Sequence, residues 1–366
     1  MRSIAIMVFL YHSPGYGSEL VLPGPGDSPL NDNNNRSGLG AAISSLPEND
    51  IILSDLIEKR RRFYFDAFPS MDYVVLKGGD TLLDDIEGLV VLLGHQPVNL
   101  DYEHPSDSRE DLMYVSLERI RMMLESDTPS ASLFLADEPL GWREKLCVLT
   151  LHPEQIAAND QVATYFLIES YFEIKGKIKP EHHLDRRAFI NFVFDHEVYH
   201  CLESDLIGPQ PMSYMEFWGD YYHYRHEIGA DAFAIAMHIK RHGKVTEFVR
   251  SIALIRGLSL YCDDCNHWTS EIIRKVSNMD TDLLTSMSTM DIFSYTSTLR
   301  DKYSPSYPEY LVYRSTAQKV CDQISGKLWR AGKEELPEPN PQLMNNMLEI
   351  FRESYLDLTG SEFSAE

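Results

Sequence analysis

The sequence predicts an α+β fold, in which an N-terminal α/β portion precedes a mainly helical domain. Between residues 51 and 137, apolar strand-like runs alternate with amphipathic helical segments, which is typical of an α/β layer arrangement. After about residue 153, helical periodicity dominates to the end of the chain. A length of 366 residues allows two domains of ordinary size. We therefore predict an N-terminal portion at 1–137, a central domain at 138–334 and a C-terminal helix at 335–366.

The N-terminal portion starts with an apolar run at 4–10, which a first β-strand or the core of a short signal peptide explains equally well. Residues 13–50 are rich in Gly, Pro, Asn and Ser and predict a long flexible loop. Apolar periodicity then predicts helices at 52–68 and 110–126 and strands at 73–77, 88–94, 131–137 and 145–152.

Helical patterns dominate the chain after about residue 153. Apolar residues with helical spacing predict helices at 186–204, 215–242, 244–258, 268–278, 308–331 and 340–357. A Pro-rich stretch at 335–342 precedes the last helix and is typical of a stiff spacer.

The composition excludes some classes of function. The chain carries 56 acidic and 33 basic side chains, and a net charge of −23 repels phosphate backbones, so we expect no nucleic-acid partner. No apolar run approaches the roughly 20 residues that a membrane span needs, so we expect no span. Five cysteines form an odd, sparse set unlike a disulfide framework, which favours a cytoplasmic location. If the N-terminal apolar run is a signal peptide, the protein is instead secreted or periplasmic.

The motif that carries the chemistry is His-Glu-x-x-His at 196–200, inside the stretch FDHEVYHCLE. Residues four apart lie one above the other on a helix, so His196 and His200 can direct two imidazoles at one point, with Glu197 beside it. Zinc sites hold two ligands and a base for the metal-activated water in this way. Apolar residues precede the motif, and its polar groups are costly in a core unless they bind something. A hydrogen-bonded or exposed patch without metal is the alternative.

A catalytic zinc ion needs a third protein ligand. In the next helical segment, Glu227 and Asp231 are four residues apart and share a face, and Glu227 lies 27 residues after His200. Glu203 shares a face with His196, so it could hydrogen-bond a ligand. The other candidates in this region are Glu203, Glu216, Asp220, His223 and His226.

These two motifs together resemble those of the gluzincin metallopeptidases, the thermolysin-like group. Their pattern is His-Glu-x-x-His on one helix and Glu-x-x-x-Asp on the next, here HEVYH and EIGAD, over about 36 residues. The resemblance implies a zincin-like fold for the central domain and zinc ligation by His196, His200 and Glu227. It also implies that Glu197 is the general base and that Asp231 hydrogen-bonds a ligand imidazole.

A later segment extends the resemblance. In thermolysin-like enzymes a histidine preceded by acidic residues donates to the oxyanion of the tetrahedral intermediate, and His267, in the stretch DDCNHWTS, is similar to it. The same segment contains Cys262 and Cys265 in a C-x-x-C, for which a structural zinc, redox chemistry and a plain loop all remain open.

The sequence thus predicts a zinc-dependent metallopeptidase that acts on a peptide or protein substrate, with Zn²⁺ as cofactor and Glu197 as general base. Two alternatives remain, a non-peptidase zinc hydrolase and a non-catalytic metal-binding or regulatory protein on the same fold. Glu197 argues against the second alternative, because a binding site needs no base. In thermolysin-like enzymes a strand just before the motif helix pairs with the substrate, and the segments 145–152 and 163–175 could supply it. The sequence does not predict the oligomeric state.

Overall fold

A computed structural model describes residues 48–77, 123, 129–135, 145–151, 178–207, 218–262, 265–325 and 336–363, with side chains except at 48–54, 77, 134–135, 218–219, 261–265 and 325. The strands predicted at 4–10 and 88–94 lie outside these residues, as does all but Met123 of the helix predicted at 110–126. The loop predicted at 13–50 is too long at its end, because a helix begins at Glu48; the rest of that loop lies outside the described residues.

The described part of the chain is mostly helical and contains one small mixed sheet, so the α+β class is confirmed. Helix α1 (Glu48–Ala67) leads into strand β1 (Met71–Lys77), which is followed by β2 (Ser130–Leu135) and β3 (Lys145–Leu151). The strand order is β1-β3-β2, with β1 parallel and β2 antiparallel to the central β3. The middle of β3 is fully buried, as its central position and its apolar sequence require.

The second half of the described chain is built from helices. They are α2 (Arg186–Leu206), α3 (Trp218–His242), α4 (Glu247–Gly257), α5 (Ser270–Ser277), α6 (Thr281–Ser286), α7 (Thr289–Tyr303), α8 (Tyr307–Ser325) and α9 (Pro341–Thr359). Six of them lie where apolar spacing predicted them, with ends that differ by a few residues. None of the described helices is both long and apolar enough to cross a membrane.

Helices α6 and α7 were not predicted, although a capping signal for α7 stands in the sequence. Ser288 accepts a hydrogen bond from the amide of Asp291, and the Asp291 carboxylate accepts one from the amide of Ser288. The apolar stripe of α7 is interrupted, because its buried face includes the polar residues Thr296, Ser297 and Arg300. Apolar periodicity therefore does not detect this helix, whereas the Ser-x-x-Asp pattern could have done so.

Helices α2 and α3 pack against each other at the centre of the molecule. Helix α2 begins at the N-cap Asp185, whose carboxylate accepts from the Ala188 amide at 2.8 Å. The close approach of the two helices depends on Gly229 of α3, because a Cβ at this position would lie 2.3 Å from the hydroxyl oxygen of Tyr199 on α2. Tyr199 is fully buried, so its ring cannot swing into solvent to make room.

A buried ionic cluster ties α1 to both of these helices. The carboxylate of Asp195, which is 0% exposed, accepts hydrogen bonds from Arg60 and Tyr64 of α1 and from Arg241 of α3. Removing one partner of such a cluster strands a buried charge and costs about 3–5 kcal/mol. Asp195 directly precedes His196, so the cluster also fixes the rotation of α2 about its axis.

A disulfide between Cys147 of β3 and Cys201 of α2 joins the sheet to the motif helix. Both cysteines are buried, and their separation along the chain is 54 residues. The cysteine count did not predict this pair. The side chains of Cys262 and Cys265 lie outside the described part, so the roles considered for their C-x-x-C stay predictions.

We expect Gly229→Ala to destabilise the protein, because the added methyl group overpacks the contact with Tyr199 at a cost of about 1–3 kcal/mol. In a Tyr199→Leu background the ring atoms that meet the methyl group are gone. There the same change should be neutral or stabilising, because Ala favours a helix over Gly by about 1 kcal/mol. Urea unfolding of the wild type, the two single variants and the double variant measures both effects. An equal loss in both backgrounds would contradict the packing described here.

We expect reduction of the Cys147–Cys201 disulfide to lower the free energy of unfolding by about 4 kcal/mol, the chain-entropy value for a loop of this length. Urea unfolding with and without a phosphine reductant measures the loss. The double variant Cys147→Ala, Cys201→Ala should show no response to the reductant. Alkylation of both cysteines in the unreduced, denatured protein would show that the bond does not form.

Candidate metal centre

The first group of site residues comes from the packing of α2 against α3. His196 and His200 lie one turn apart on α2 and face Glu227 of α3. The Nε2 atom of His196 is 3.1 Å from Oε2 of Glu227, and Nε2 of His200 is 3.7 Å from Oε1. His196 and Glu227 are buried, and His200 is partly exposed. The structure therefore brings together the three residues that the sequence predicted as zinc ligands, with ligand atoms close enough to share one ion.

Asp231 orients one of these imidazoles. Its Oδ1 lies 2.9 Å from Nδ1 of His196, and since a carboxylate only accepts, Nδ1 is the donor and Nε2 faces Glu227. Arg256 of α4 donates to both Asp231 oxygens at 2.9 and 3.1 Å, and the Thr269 hydroxyl donates to Oδ2. Burial alone would raise the pKa of Asp231, but the Arg256 charge and the His196 hydrogen bond outweigh it and hold that pKa well below its usual range.

The donor set fits zinc. Although two imidazole nitrogens lie 3.1 Å from Oε2 of Glu227, this buried oxygen makes no hydrogen bond of acceptable geometry with any described residue. Such an atom carries a desolvation cost that a cation would remove. Two imidazole nitrogens and one carboxylate oxygen are the protein ligands of many catalytic zinc ions, which keep a further position open. Two histidines from one helix and a glutamate from the next therefore form a group that could hold a metal ion such as zinc.

The charges of the site's own side chains also indicate a place for a cation. Burial would lower the pKa of His196, but Glu227 and Asp231 raise it to about 10. Burial would likewise raise the pKa of Glu227, yet the positive charges of His267 and His196 hold it well below its usual range. For His200, burial lowers the pKa to about 3. The site thus holds positive charge next to Glu227 in the place where a metal ion would supply it, and a metal must displace the proton of His196.

Glu197 follows His196 on α2 and is also buried. Burial raises the pKa of its carboxyl to about 7, and the charges of His196, Glu227 and His267 act on it as well. A carboxyl group with a pKa near the working pH can both accept and return a proton. Glu197 therefore has the properties that a general base requires.

His267 lies in the same site. It ends a short 3₁₀ helix (Cys265–His267), and its Nε2 is 3.1 Å from Oε2 of Glu227. Thr269 places this segment, because its amide donates to the His267 carbonyl at 2.8 Å and its hydroxyl donates to Asp231. Asp231 thus positions both His196 and the segment that carries His267. Whether His267 stabilises an oxyanion stays a prediction.

The other residues considered as zinc ligands make contacts of their own. His223 lies one turn before Glu227 on α3, and its Nε2 is 3.3 Å from Oε1 of that residue. His226 donates to Glu203, which is also paired with Arg300 of α7. The carboxylate of Asp220 pairs with Arg314 at 2.6 Å, and Glu216 lies outside the described residues. Glu203, which shares a face with His196 and was considered as a hydrogen-bond partner of a ligand, pairs with His226 and Arg300.

Two positioning residues were missed by the sequence reasoning. Arg256 is buried on α4 and holds Asp231, and Arg300 is buried on α7 and holds Glu203. A signal for Arg256 exists in the sequence, because it shares a helical face with the apolar residues Val249 and Ile252. An arginine on an apolar stripe needs a buried partner, although the sequence alone does not say which.

Comparison with known proteins gives this chain no family. No protein-family model matches the sequence, no curated protein matches it, and no solved structure matches its fold. The function is therefore inferred from the residues of the site.

We expect the wild-type protein to keep about one zinc ion per chain after loading and dialysis against metal-free buffer, and Glu227→Ala to lose it. Asp231→Asn should weaken zinc affinity by about 10–100-fold, because the imidazole of His196 loses its orienting carboxylate. Glu349→Ala, at an exposed position on α9, is the matched control. Elemental analysis measures the zinc. Zinc retained in Glu227→Ala would assign the third ligand to another residue, with Glu203, His223 and His226 the nearest candidates.

Proposed function

We propose that this protein is a zinc-dependent metallopeptidase of the gluzincin type. The observation that carries the proposal is the meeting of His196, His200 and Glu227 at one point, with the buried Glu197 beside them. Asp231 adds support, because it holds the far nitrogen of His196 as a zinc-bound histidine requires. A zincin-like fold for the helical part of the chain belongs to the same proposal.

The roles of the side chains follow from their positions and charges. His196, His200 and Glu227 would hold the zinc ion, which would supply a Lewis acid for the scissile carbonyl and for the attacking water. Glu197 takes a proton from the attacking water and passes it to the leaving amine. His267 donates from Nε2 to the oxygen on which negative charge develops.

The position of the sheet limits how a peptide substrate could bind. Strand β3, which forms most of the predicted substrate strand at 145–152, is hydrogen-bonded to β1 on one side and to β2 on the other. It has no free edge and cannot pair with a peptide. The segment 163–175 lies outside the described residues, so it remains the candidate for that role.

The disulfide indicates the redox state of the cellular compartment in which the protein works. Cytosolic thiols are kept reduced, and stable disulfides are typical of secreted and periplasmic proteins. Because Cys147 and Cys201 are paired, we infer that the protein works in an oxidising compartment rather than in the cytoplasm.

We expect Glu197→Gln to lower peptide hydrolysis by about 10²–10⁴-fold while the protein keeps its zinc, because the amide cannot accept the proton. The assay is cleavage of a pool of quenched fluorescent peptides by the zinc-loaded protein, with zinc content measured on the same samples. A chelator should abolish the wild-type activity, and added zinc should restore it.

Two outcomes would contradict the proposal. Equal cleavage by Glu197→Gln and wild type would exclude Glu197 as the base. Zinc-loaded wild-type protein that cleaves no peptide but hydrolyses small esters or other amides would favour a non-peptidase hydrolase.

A further inference from the structure

A second group of metal-ligating atoms lies beside the first. The Nε2 atoms of His223 and His267 lie 3.3 and 3.1 Å from the two oxygens of Glu227, and the three ligand atoms are close enough to share one ion. His223 and His267 are partly exposed, whereas His196 is buried. Nothing in the hydrolytic mechanism uses His223. The mechanism does use Nε2 of His267 as a donor, so an ion bound in this group would occupy that nitrogen and oppose hydrolysis.

The two groups share only the carboxylate of Glu227. Oxygen Oε2 has His196 of the first group and His267 of the second at 3.1 Å, and oxygen Oε1 has His200 and His223 at 3.7 and 3.3 Å. Each oxygen therefore faces one imidazole from each group. A carboxylate placed between two pairs of nitrogen ligands is suited to bridge two cations.

We propose that His223, Glu227 and His267 form a second metal site, which takes a zinc-like divalent ion and shares Glu227 with the first. Imidazole and carboxylate ligands favour zinc, cobalt and nickel over magnesium or calcium, which prefer oxygen ligands alone. The proposal rests on the proposed zinc centre, because Glu227 is a ligand in both.

The charges around the two groups determine which of the two metal ions binds more tightly. Arg256 neutralises Asp231, and Arg300 neutralises Glu203, so among the described residues of the two groups the acidic side chains left to balance metal charge are Glu227 and Glu197. They balance one divalent ion but not two. The second ion therefore binds more weakly than the first and exchanges with solvent through the partly exposed His223 and His267.

The third group of possible ligands, formed by His200, Glu203 and His226, is less suited to bind a metal ion than the other two groups. Glu203 is 1% exposed and already pairs with the buried guanidinium of Arg300, which occupies the place of a cation. A metal ion there would have to break this buried ion pair, and among the described residues Arg300 would keep only its bond to Asp301.

Titration of the metal-free full-length protein with Co²⁺ tests the proposal. We expect about two ions per chain, the first bound tightly and the second weakly. Because a bridging carboxylate couples the two ions magnetically, the electron paramagnetic resonance signal per cobalt should fall as the second ion binds. His223→Ala should bind only the first ion. His242→Ala, the same change at an exposed position on α3, should bind both.

The outcomes separate this proposal from the proposed function. One tight ion in the wild type, with no second, would overturn the second site and leave the peptidase proposal standing. A second ion that is uncoupled, or that persists in His223→Ala and in His267→Ala, would also overturn it, because the ion would then lie elsewhere. A wild type that binds no ion would overturn both proposals.

Discussion

The carboxylate of Asp231 holds the centre of this protein together, because four elements meet on it. It belongs to α3, accepts from His196 of α2 and from Arg256 of α4, and is bonded by Thr269 at the start of α5. It is completely buried, and the hydrogen bonds from these partners compensate for its desolvation. The orientation of His196 and the position of the segment with His267 both depend on this one group.

A second buried carboxylate, that of Asp195, also holds the helices of the site in place. Asp195 binds Arg60, Tyr64 and Arg241, and thereby joins α1 to α2 and α3 one residue before the metal-binding motif. Together with Gly229, which lets the two central helices approach, it determines how far the α2 imidazoles lie from Glu227. Imidazole and carboxylate groups buried at this depth are costly unless they bind something, and a metal ion removes that cost. The metal ion that we propose at this point would therefore remove a cost that the packing of the helices leaves in place.

The part of the candidate site that could be predicted from the sequence is the part that depends on local spacing. The spacing of four residues in His196 and His200, and again in Glu227 and Asp231, determines which side chains share a helical face, so the candidate ligands could be named in advance. That the two faces meet is a tertiary property, suggested only by the resemblance to a known pair of motifs. Arg256 follows Asp231 by 25 residues on another helix, and no local pattern connects them. The pairing of Cys147 with Cys201 and the polar inner face of α7 were missed for the same reason, since both depend on contacts between distant parts of the chain.

The central claim is that zinc binds to imidazole and carboxylate groups at the junction of α2 and α3. X-ray absorption at the zinc edge, on protein loaded with zinc and then dialysed, measures this coordination directly. The account predicts two imidazole groups and a carboxylate, with zinc–nitrogen distances of about 2.0–2.1 Å and no sulfur neighbour. Sulfur at about 2.3 Å would place the metal on cysteines such as Cys262 and Cys265, and would contradict the assignment of His196, His200 and Glu227 as the metal centre.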